Sequence, residues 1–473
     1  MISATTGTWV NYMTTLAFQV LFAARYGATP EAAAFVITFG LAVAGGGVLV
    51  GTVQSIAVPR LIAPGGELMK GTLRFVVYLT LAALALAAVL ALTATPLAGW
   101  LAPALALQKA QFAALLRATA AFMLLRFAAG TLGAIGLARG HRFIPAVSPT
   151  IFSLVAAVPM LLHRGLSVEV VYWLLVAGSA VELLLLAATV IRPLRLSSEV
   201  APSATSAAIV MLGAFMLVAL IPPLERTLTA LHTPADAARY DYAIRSLRSG
   251  QQLLVGGLFL ATLGDWSSLV SAGQRARLQH SLAVITGLAT LVLLLAASVA
   301  LVAIHDIVRL VYQHGNFTPT DTNAVATIVL LGLPGFVAES LVLVQSSALA
   351  AVKRNDLLAF NGVVRFIGSV ILLAALAPRL GANGAAIAYS VTAVVGLALI
   401  EFQLHVLDLW PAHGGALLGR YVPLAGGTVG TAMLLYLLAG SAPALFRAAL
   451  VSVVFLALLY PARPLQTLRT LRV

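Results

Sequence analysis

Cysteine is absent from this sequence, and charge is scarce: Asp, Glu, Lys and Arg together make up 9% of 473 residues, against roughly a quarter in an ordinary globular domain. Without cysteine there is no disulfide framework, no thiol nucleophile and no Cys-based metal or haem site. Without charge there is too little polar surface to coat a water-soluble particle. Hydrophobic residues reach 61% and mean hydropathy is +1.02. These figures exclude disorder, collagen, coiled coil and a large extramembrane catalytic domain. The formal charge of +13 looks like a nucleic-acid signal only in sum. The basic residues are scattered singly or in pairs between apolar runs, a pattern that sets topology in a membrane protein, so no nucleic-acid partner is expected.

A membrane-spanning helix needs about 20 mainly apolar residues, and such runs recur along the whole chain. Spans are expected at 5–25, 31–58, 72–95, 109–137, 143–162, 168–191, 205–228, 236–262, 280–304, 322–350, 356–377, 384–407, 416–438 and 442–460. The expected fold class is therefore an all-α polytopic membrane protein of about fourteen helices. Turn residues mark the connections: Pro59 to Gly66, Arg139 to Arg142, Arg192 to Pro202, Gly315 to Asp321 and Lys353 to Asp356. No basic n-region opens the chain, so no cleaved signal peptide is expected.

Loop charge sets the expected orientation. With the N-terminus inside, the cytoplasmic loops and tail hold Arg60, Lys70, Arg74, Arg139, Arg142, Arg192, Arg195, Arg275, Arg277, Lys353, Arg354, Arg420, Arg463, Arg469 and Arg472. These outnumber Arg25, Lys109, Arg164, Arg226, Arg239, Arg309 and Arg379 on the opposite side, which places both termini in the cytoplasm. An internal echo adds to the picture. Thr29-Pro30-Glu31-Ala32 opens the second span and Thr233-Pro234-Ala235-Asp236 the eighth; Arg139-Gly140-His141-Arg142 is matched by Lys353-Arg354-Asn355-Asp356. Both fit six helices repeated in the same orientation, with two appended: an N-terminal lobe over 1–200, a C-terminal lobe over 201–410, and a last pair with a basic tail over 411–473. Parallel repeats of this kind are a transporter architecture.

Charges inside the spans carry the chemistry. A charge near the bilayer centre costs about 2.5–3.5 kcal/mol even on insertion scales, so it faces a cavity or a partner, or snorkels. Asp241, Arg245, Arg248 and Gln252 lie at i, i+4, i+7 and i+11, one face of the eighth span. That face lines either a wet cavity or another polar helix, and Asp241 stands where it can neutralise Arg245. Arg117 and Arg126 in the fourth span are nine residues apart, half a turn out of phase at about 100° per residue. Arg126 shares its face with Gly130 and Gly133, which suits a packed ion pair as well as a ligand. Arg365 shares a face with Asn361 and Ser369 and is a further candidate; Arg447, near a span end, reads as snorkelling. Among the acids, Glu339 sits near mid-depth, Glu225 ends the seventh span, and Glu182 and Glu401 lie within spans, Glu401 near a solvated end. Asp241, Glu339 and Glu225 are the candidates for coupling a proton or sodium ion. The first span carries a neutral stripe, Asn11, Thr15 and Gln19. The second is glycine-rich, with Gly40, Gly45, Gly46, Gly47 and Gly51 suited to close contact or flexing.

Enzyme signatures are missing. There is no HExxH, P-loop or GxSxG motif, and none of the eight His residues pairs with an acid at zinc-ligand spacing. The chain is expected not to be an enzyme and to need no resident cofactor or metal.

Several stretches together resemble one family. Gly133-Ala134-Ile135 with Arg142-Phe143-Ile144-Pro145-Ala146 and Pro149-Thr150 resembles the turn between helices four and five of the MurJ/MviN lipid flippases. Tyr242-Ala243 with Arg245 and Leu247 resembles their Tyr-Ala-x-Arg-Leu signature in helix eight, with one residue inserted. Gly315-Asn316-Phe317-Thr318 is similar to their Gly-x-Phe-Thr loop, Arg354-Asn355-Asp356 to their Arg-Gln-Asp, and Tyr26-Gly27-Ala28 to the end of their helix one. The resemblance implies a transporter of the multidrug/oligosaccharidyl-lipid/polysaccharide (MOP) exporter superfamily. Two six-helix lobes would enclose a cationic cavity, and the last two helices would form a groove for a polyprenyl tail. It also implies a substrate-binding role for Arg245, the family's helix-eight arginine, and for Arg117, its helix-four basic residue.

Family members that move lipid II carry Arg and Asp in helix one and an Arg pair in helix two. Here those regions read Asn11, Thr15 and Gln19, and Ala44-Gly45-Gly46-Gly47. The expectation is a bacterial inner-membrane flippase for a polyprenyl-diphosphate-linked saccharide, an exopolysaccharide repeat unit or a lipid II-like precursor. Arg117, Arg245, Arg248, Gln252, Arg126 and Arg365 are its candidate substrate ligands, and membrane potential, a proton or sodium its energy source. Its partners would be membrane lipids and glycan polymerase or glycosyltransferase machinery. Two rivals stand beside it: a drug or cation exporter of the same superfamily, which should place acids at the cavity centre, and a non-transporting scaffold, which would tolerate neutral replacement of the arginines.

Overall fold

The computed structural model describes residues 2–52, 68–101, 105, 107, 109–138, 143–190, 196–197, 205–410, 427–428, 430–432, 434 and 443–462. Among these the chain is helical, apart from a two-residue parallel pairing of β1 (Leu68–Met69) with β2 (Leu196–Ser197). In chain order the helices are α1 (Ile2–Tyr26), α2 (Pro30–Thr52), α3 (Lys70–Leu92), α4 (Ala94–Leu101), α5 (Lys109–Ala138), α6 (Phe143–Val147), α7 (Thr150–Leu162) and α8 (Val168–Val190). There follow α9 (Thr205–Ala230), α10 (Pro234–Gln251), α11 (Gly257–Ser271), α12 (Arg275–Tyr312), α13 (Pro319–Ala351), α14 (Asn355–Val406) and α15 (Ala444–Ala462). Hydrocarbon offers backbone groups no other partner, so apolar segments satisfy themselves as helices. The expected span at 416–438 lies mostly outside the described residues, as do the basic turn Arg139 to Arg142, most of the linkers Pro59 to Gly66 and Arg192 to Pro202, and the tail arginines. Among the described residues six helices are long and apolar enough to cross a membrane, or seven if the bent pair α3–α4 is one span.

Where helices break, the cause is local. Pro96 cannot donate to Leu92, the last residue of α3, and the two limbs meet at 55°. Pro149 separates α6 from α7. Gly381 divides α14 with φ 57°, and a Cβ there would come within 2.7 Å of His232 Nδ1. The two Thr-Pro echoes are one device used twice: the Thr29 hydroxyl accepts from Ala32 N–H and the Thr233 hydroxyl from Asp236 N–H, each capping a helix that Pro opens.

The chain separates into two compact units. The first comprises Met1–Tyr242, His314–Asp321 and Val370–Ala385; the second comprises Ala243–Gln313, Thr322–Ser369 and Ala386–Val473. An aromatic core runs through the first unit, where Phe22 stacks on Phe35 at 4.3 Å and Phe35 meets Tyr172 edge-on at 5.4 Å. In the same unit three of the family-like motifs converge. Asn316 donates from its backbone to Ala24 O (2.8 Å) and from its side chain to Arg25 O (2.6 Å). Tyr242 donates its hydroxyl to Gly27 O at 2.7 Å and lies edge-on to Phe317. Gly27 and Gly315 both take positive φ here, and a Cβ on Gly27 would stand 2.5 Å from Asn316 O. In the second unit α12 packs on α15 through Val302, Ala303 and Val451.

Candidate functional site

The polar stripe of the eighth span begins in a buried ion pair. Asp241, 2% exposed, accepts from Arg226 Nε at 2.5 Å. The i, i+4 spacing points to Arg245 as a neighbour on the same helix; Arg226 comes from another helix. Arg226, counted above among loop residues, lies inside α9 with 6% of its side chain exposed. Its guanidinium rests against Gly40 of α2, where a Cβ would stand 2.8 Å from Nη1. Glu225, the neighbouring residue, is also buried. Asp241 thus belongs to a dry cluster of three helices in the first unit. Sequence spacing missed it because helical periodicity reports only neighbours on one helix. The available signal was the pair Glu225-Arg226, set just past Pro222-Pro223 in an apolar run.

Arg245 and Arg248 are half-buried on α10 and belong to the second unit. Gln252 follows in a π-helical turn, Gln252–Gly256, that joins α10 to α11. π-turns are rare and concentrate at functional sites. Gly256 ends it, and a Cβ there would stand 2.5 Å from Gln252 Oε1, so the amide folds back over this glycine. The wider turn also shifts the helical phase between α10 and α11. Half-buried guanidiniums beside a side-chain amide suit an oxyanion, because Arg binds phosphate through two parallel N–H bonds.

The remaining arginines are held elsewhere. Arg117 is exposed and donates to Thr95 Oγ1, at the start of α4, at 3.2 Å. Arg126, half a turn away on α5, pairs with Glu182 of α8, which is 2% exposed, and lies 4.7 Å over the Phe152 ring. Ser148 adds a hydrogen bond to Glu182 at 3.3 Å. Glycines 45 and 46 of α2 make room on this side: a Cβ on Gly45 would meet Met123 Sδ at 2.5 Å, and one on Gly46 would touch Arg126 Cβ. Both positions are close contacts. The side-chain surroundings of Gly47 and Gly51 lie outside the described residues.

In the second unit Arg365 pairs with Glu339, so this candidate ligand and this candidate coupling acid are partners. Asn361 ties the first limb of α14 to Gly396 O of the second at 3.3 Å, and the missing Cβ of Gly396 admits the Arg365 stem, whose Cδ would otherwise lie 2.7 Å away. Two simpler expectations are corrected. Arg447, expected to snorkel, bonds Asp306 at 3.3 Å with only 9% of its surface exposed. Glu401, expected to be solvated, is half-buried and accepts from Gln345 at 2.7 Å. On α1, Gln19 is buried, while Asn11 and Thr15 are half-buried.

Comparison with known proteins agrees with this architecture. No curated protein matches the chain at a significant level. Among solved structures, the lipid II flippase MurJ in an inward closed conformation is similar over 97% of this chain and 98% of its own, with a TM-score of 0.79 and 15% identity. An inward-facing multidrug resistance MATE family transporter of the MOP superfamily covers 85% of this chain and 95% of its own, with a TM-score of 0.60 and 15% identity. A MOP superfamily transporter from Pyrococcus furiosus, described by the reverse polarity of its binding pocket, gives 86%, 96%, 0.58 and 15%. At such identities the likeness concerns the fold. The sequence model of the lipid II flippase MurJ matches residues 22–406, from α1 to the end of α14, and on that match the chain belongs to the MurJ family of membrane transporters.

Proposed function

We propose that the protein translocates a polyprenyl-diphosphate-linked saccharide across the bacterial inner membrane by alternating access, with both termini in the cytoplasm. The observation that carries this reading is the placement of Arg245 and Arg248, half-buried within an apolar chain of the MurJ family and one turn from a π-helical break. A diphosphate cannot cross hydrocarbon unaided. Guanidinium groups replace part of its hydration by charge-assisted hydrogen bonds, which strengthen in a low-dielectric setting. Gln252 supplies an amide for the first sugar, and the tail remains in the bilayer. Arg117, at the exposed end of α5, is a separate point of first contact for the headgroup.

Membrane potential supplies about 2.3 kcal/mol per charge per 100 mV. A proton or sodium ion coupled through Asp241 or Glu339 would have to open an existing ion pair, with Arg226 or Arg365; the buried Glu225 is the third candidate acid. The neutral residues Asn11, Thr15 and Gln19 stand where lipid II-moving relatives carry charge, which favours an exopolysaccharide repeat unit over lipid II itself. Glycosyltransferases and a glycan polymerase would then act before and after the transport step.

The test is export of the lipid-linked glycan by Arg245→Ala and Arg248→Ala at matched protein levels. Hydrogen bonds to charged groups contribute about 1.5–3 kcal/mol, so each substitution should slow export roughly tenfold to a hundredfold. Unchanged export in both would remove the site.

A further inference from the structure

In the second unit, α12, α13 and the 382–406 limb of α14 enclose an apolar crevice of about 390 Å³. Ala297 and Ser298 contribute from α12, Leu330, Pro334 and Ala338 from α13, and Val394 from α14. Its position follows from a defect in α13. Pro334 has no N–H, so the Leu330 carbonyl loses its helical donor on the side that faces the crevice. The next rung of the ladder is rerouted through another helix: Gly335 N–H donates to the Ser390 hydroxyl at 3.1 Å, which in turn donates to Leu331 O at 2.6 Å. Glycine is required at 335, since a Cβ there would stand 2.6 Å from Tyr389 Cε1. The helix is therefore spliced on one side by Ser390 and left open on the other.

The chemistry of the walls limits what can fill this space. Its volume lies within the range of roughly 300–1,000 Å³ typical of small-ligand sites. Ser298 Oγ, 1% exposed and without a hydrogen-bond partner among the described residues, is the polar side-chain atom in the wall. A buried water needs about two to four polar partners, so one hydroxyl and one carbonyl cannot hold enough water to fill the volume. The mouth is walled by Val394, 47% exposed, and the same helix face continues through the exposed Val391 and Val395. The crevice thus opens onto the apolar surface of membrane-spanning helices, at mid-length of α13, where bilayer hydrocarbon lies.

We propose that this crevice binds one acyl chain of a bilayer phospholipid, seated against the proline break of α13. The assignment draws on none of the arginine chemistry above, and its test reads occupancy instead of transport. The full chain is reconstituted into vesicles of phosphatidylethanolamine and phosphatidylglycerol. A trace of phosphatidylcholine bearing a mid-chain diazirine is added, and the adducts formed on illumination are mapped by mass spectrometry. Residues 294–301 and 330–338 should be labelled several-fold more than the exposed apolar stretch 81–92 of α3. Ala297→Phe, or the milder Ala338→Leu if the first variant fails to fold, should abolish that excess and leave 81–92 unchanged. Equal labelling of crevice and α3, or an excess that survives both fillings, would overturn the site. Stronger labelling of the same residues by a diazirine-bearing polyprenyl phosphate would overturn the phospholipid assignment.

Discussion

Each compact unit holds an arginine–glutamate pair that joins two apolar helices, yet the two pairs are built with opposite emphasis. In the first unit the acid is sealed away: Glu182 is 2% exposed, takes bonds from Arg126 and Ser148, and lies beside an arginine stacked on Phe152. In the second unit the cation is the more buried member. Arg365 is 13% exposed against 26% for Glu339, and its Nε has no partner among the described residues. A buried acid that takes two bonds resists exchange, because an abandoned charge has no water to turn to. A pair with an accessible acid and a spare donor can trade partners at lower cost. The difference predicts that Glu339 tolerates the loss of its arginine better than Glu182 does.

The largest effect should come from Arg126→Met, which strands Glu182 in a dry environment. Removing one partner of a buried pair costs about 3–5 kcal/mol, read as a lowered thermal midpoint in detergent. Adding Glu182→Leu should recover most of that loss, and a double variant as unstable as the single would break the comparison. Arg365→Met should cost less, about 1–3 kcal/mol, since Glu339 is less buried than Glu182. A loss equal to that of Arg126→Met would erase the distinction. Gly40→Val should cost a similar 1–3 kcal/mol by overpacking. It presses on Arg226 and so tests whether the Arg226–Asp241 pair is as sealed as Arg126–Glu182. The smallest effect belongs to Ser390→Ala, about 0.5–1.5 kcal/mol for one neutral hydrogen bond. Faster amide exchange confined to residues around Gly335 would sharpen the picture of a spliced helix.

Much of this was legible from residue order. The half-turn between Arg117 and Arg126 places them against different helices, one at Thr95 and the other at Glu182. The Thr-Pro echo proves to be a pair of helix caps. The motifs that carry the family resemblance were readable one by one, but not that Gly27, Tyr242 and Asn316 meet in one hydrogen-bonded cluster. Asp241 shows what reading along one helix does not supply. Arg245 lies one turn away, whereas Arg226 reaches it from another helix, through a space that Gly40 leaves open. Arg447 and Glu401 were misjudged for the same reason: their partners, Asp306 and Gln345, are 141 and 56 residues away in the chain.

Residue order by itself determined that the chain must be a set of helices in a membrane and where most of them begin, because hydrocarbon leaves the backbone no donor or acceptor but its own. Tertiary structure alone decided which acid neutralises which arginine, where α13 opens, and which glycines serve as contacts. Those outcomes depend on the distance between helices remote in sequence, and in a dry interior a few tenths of an ångström determine whether two charges pair or clash.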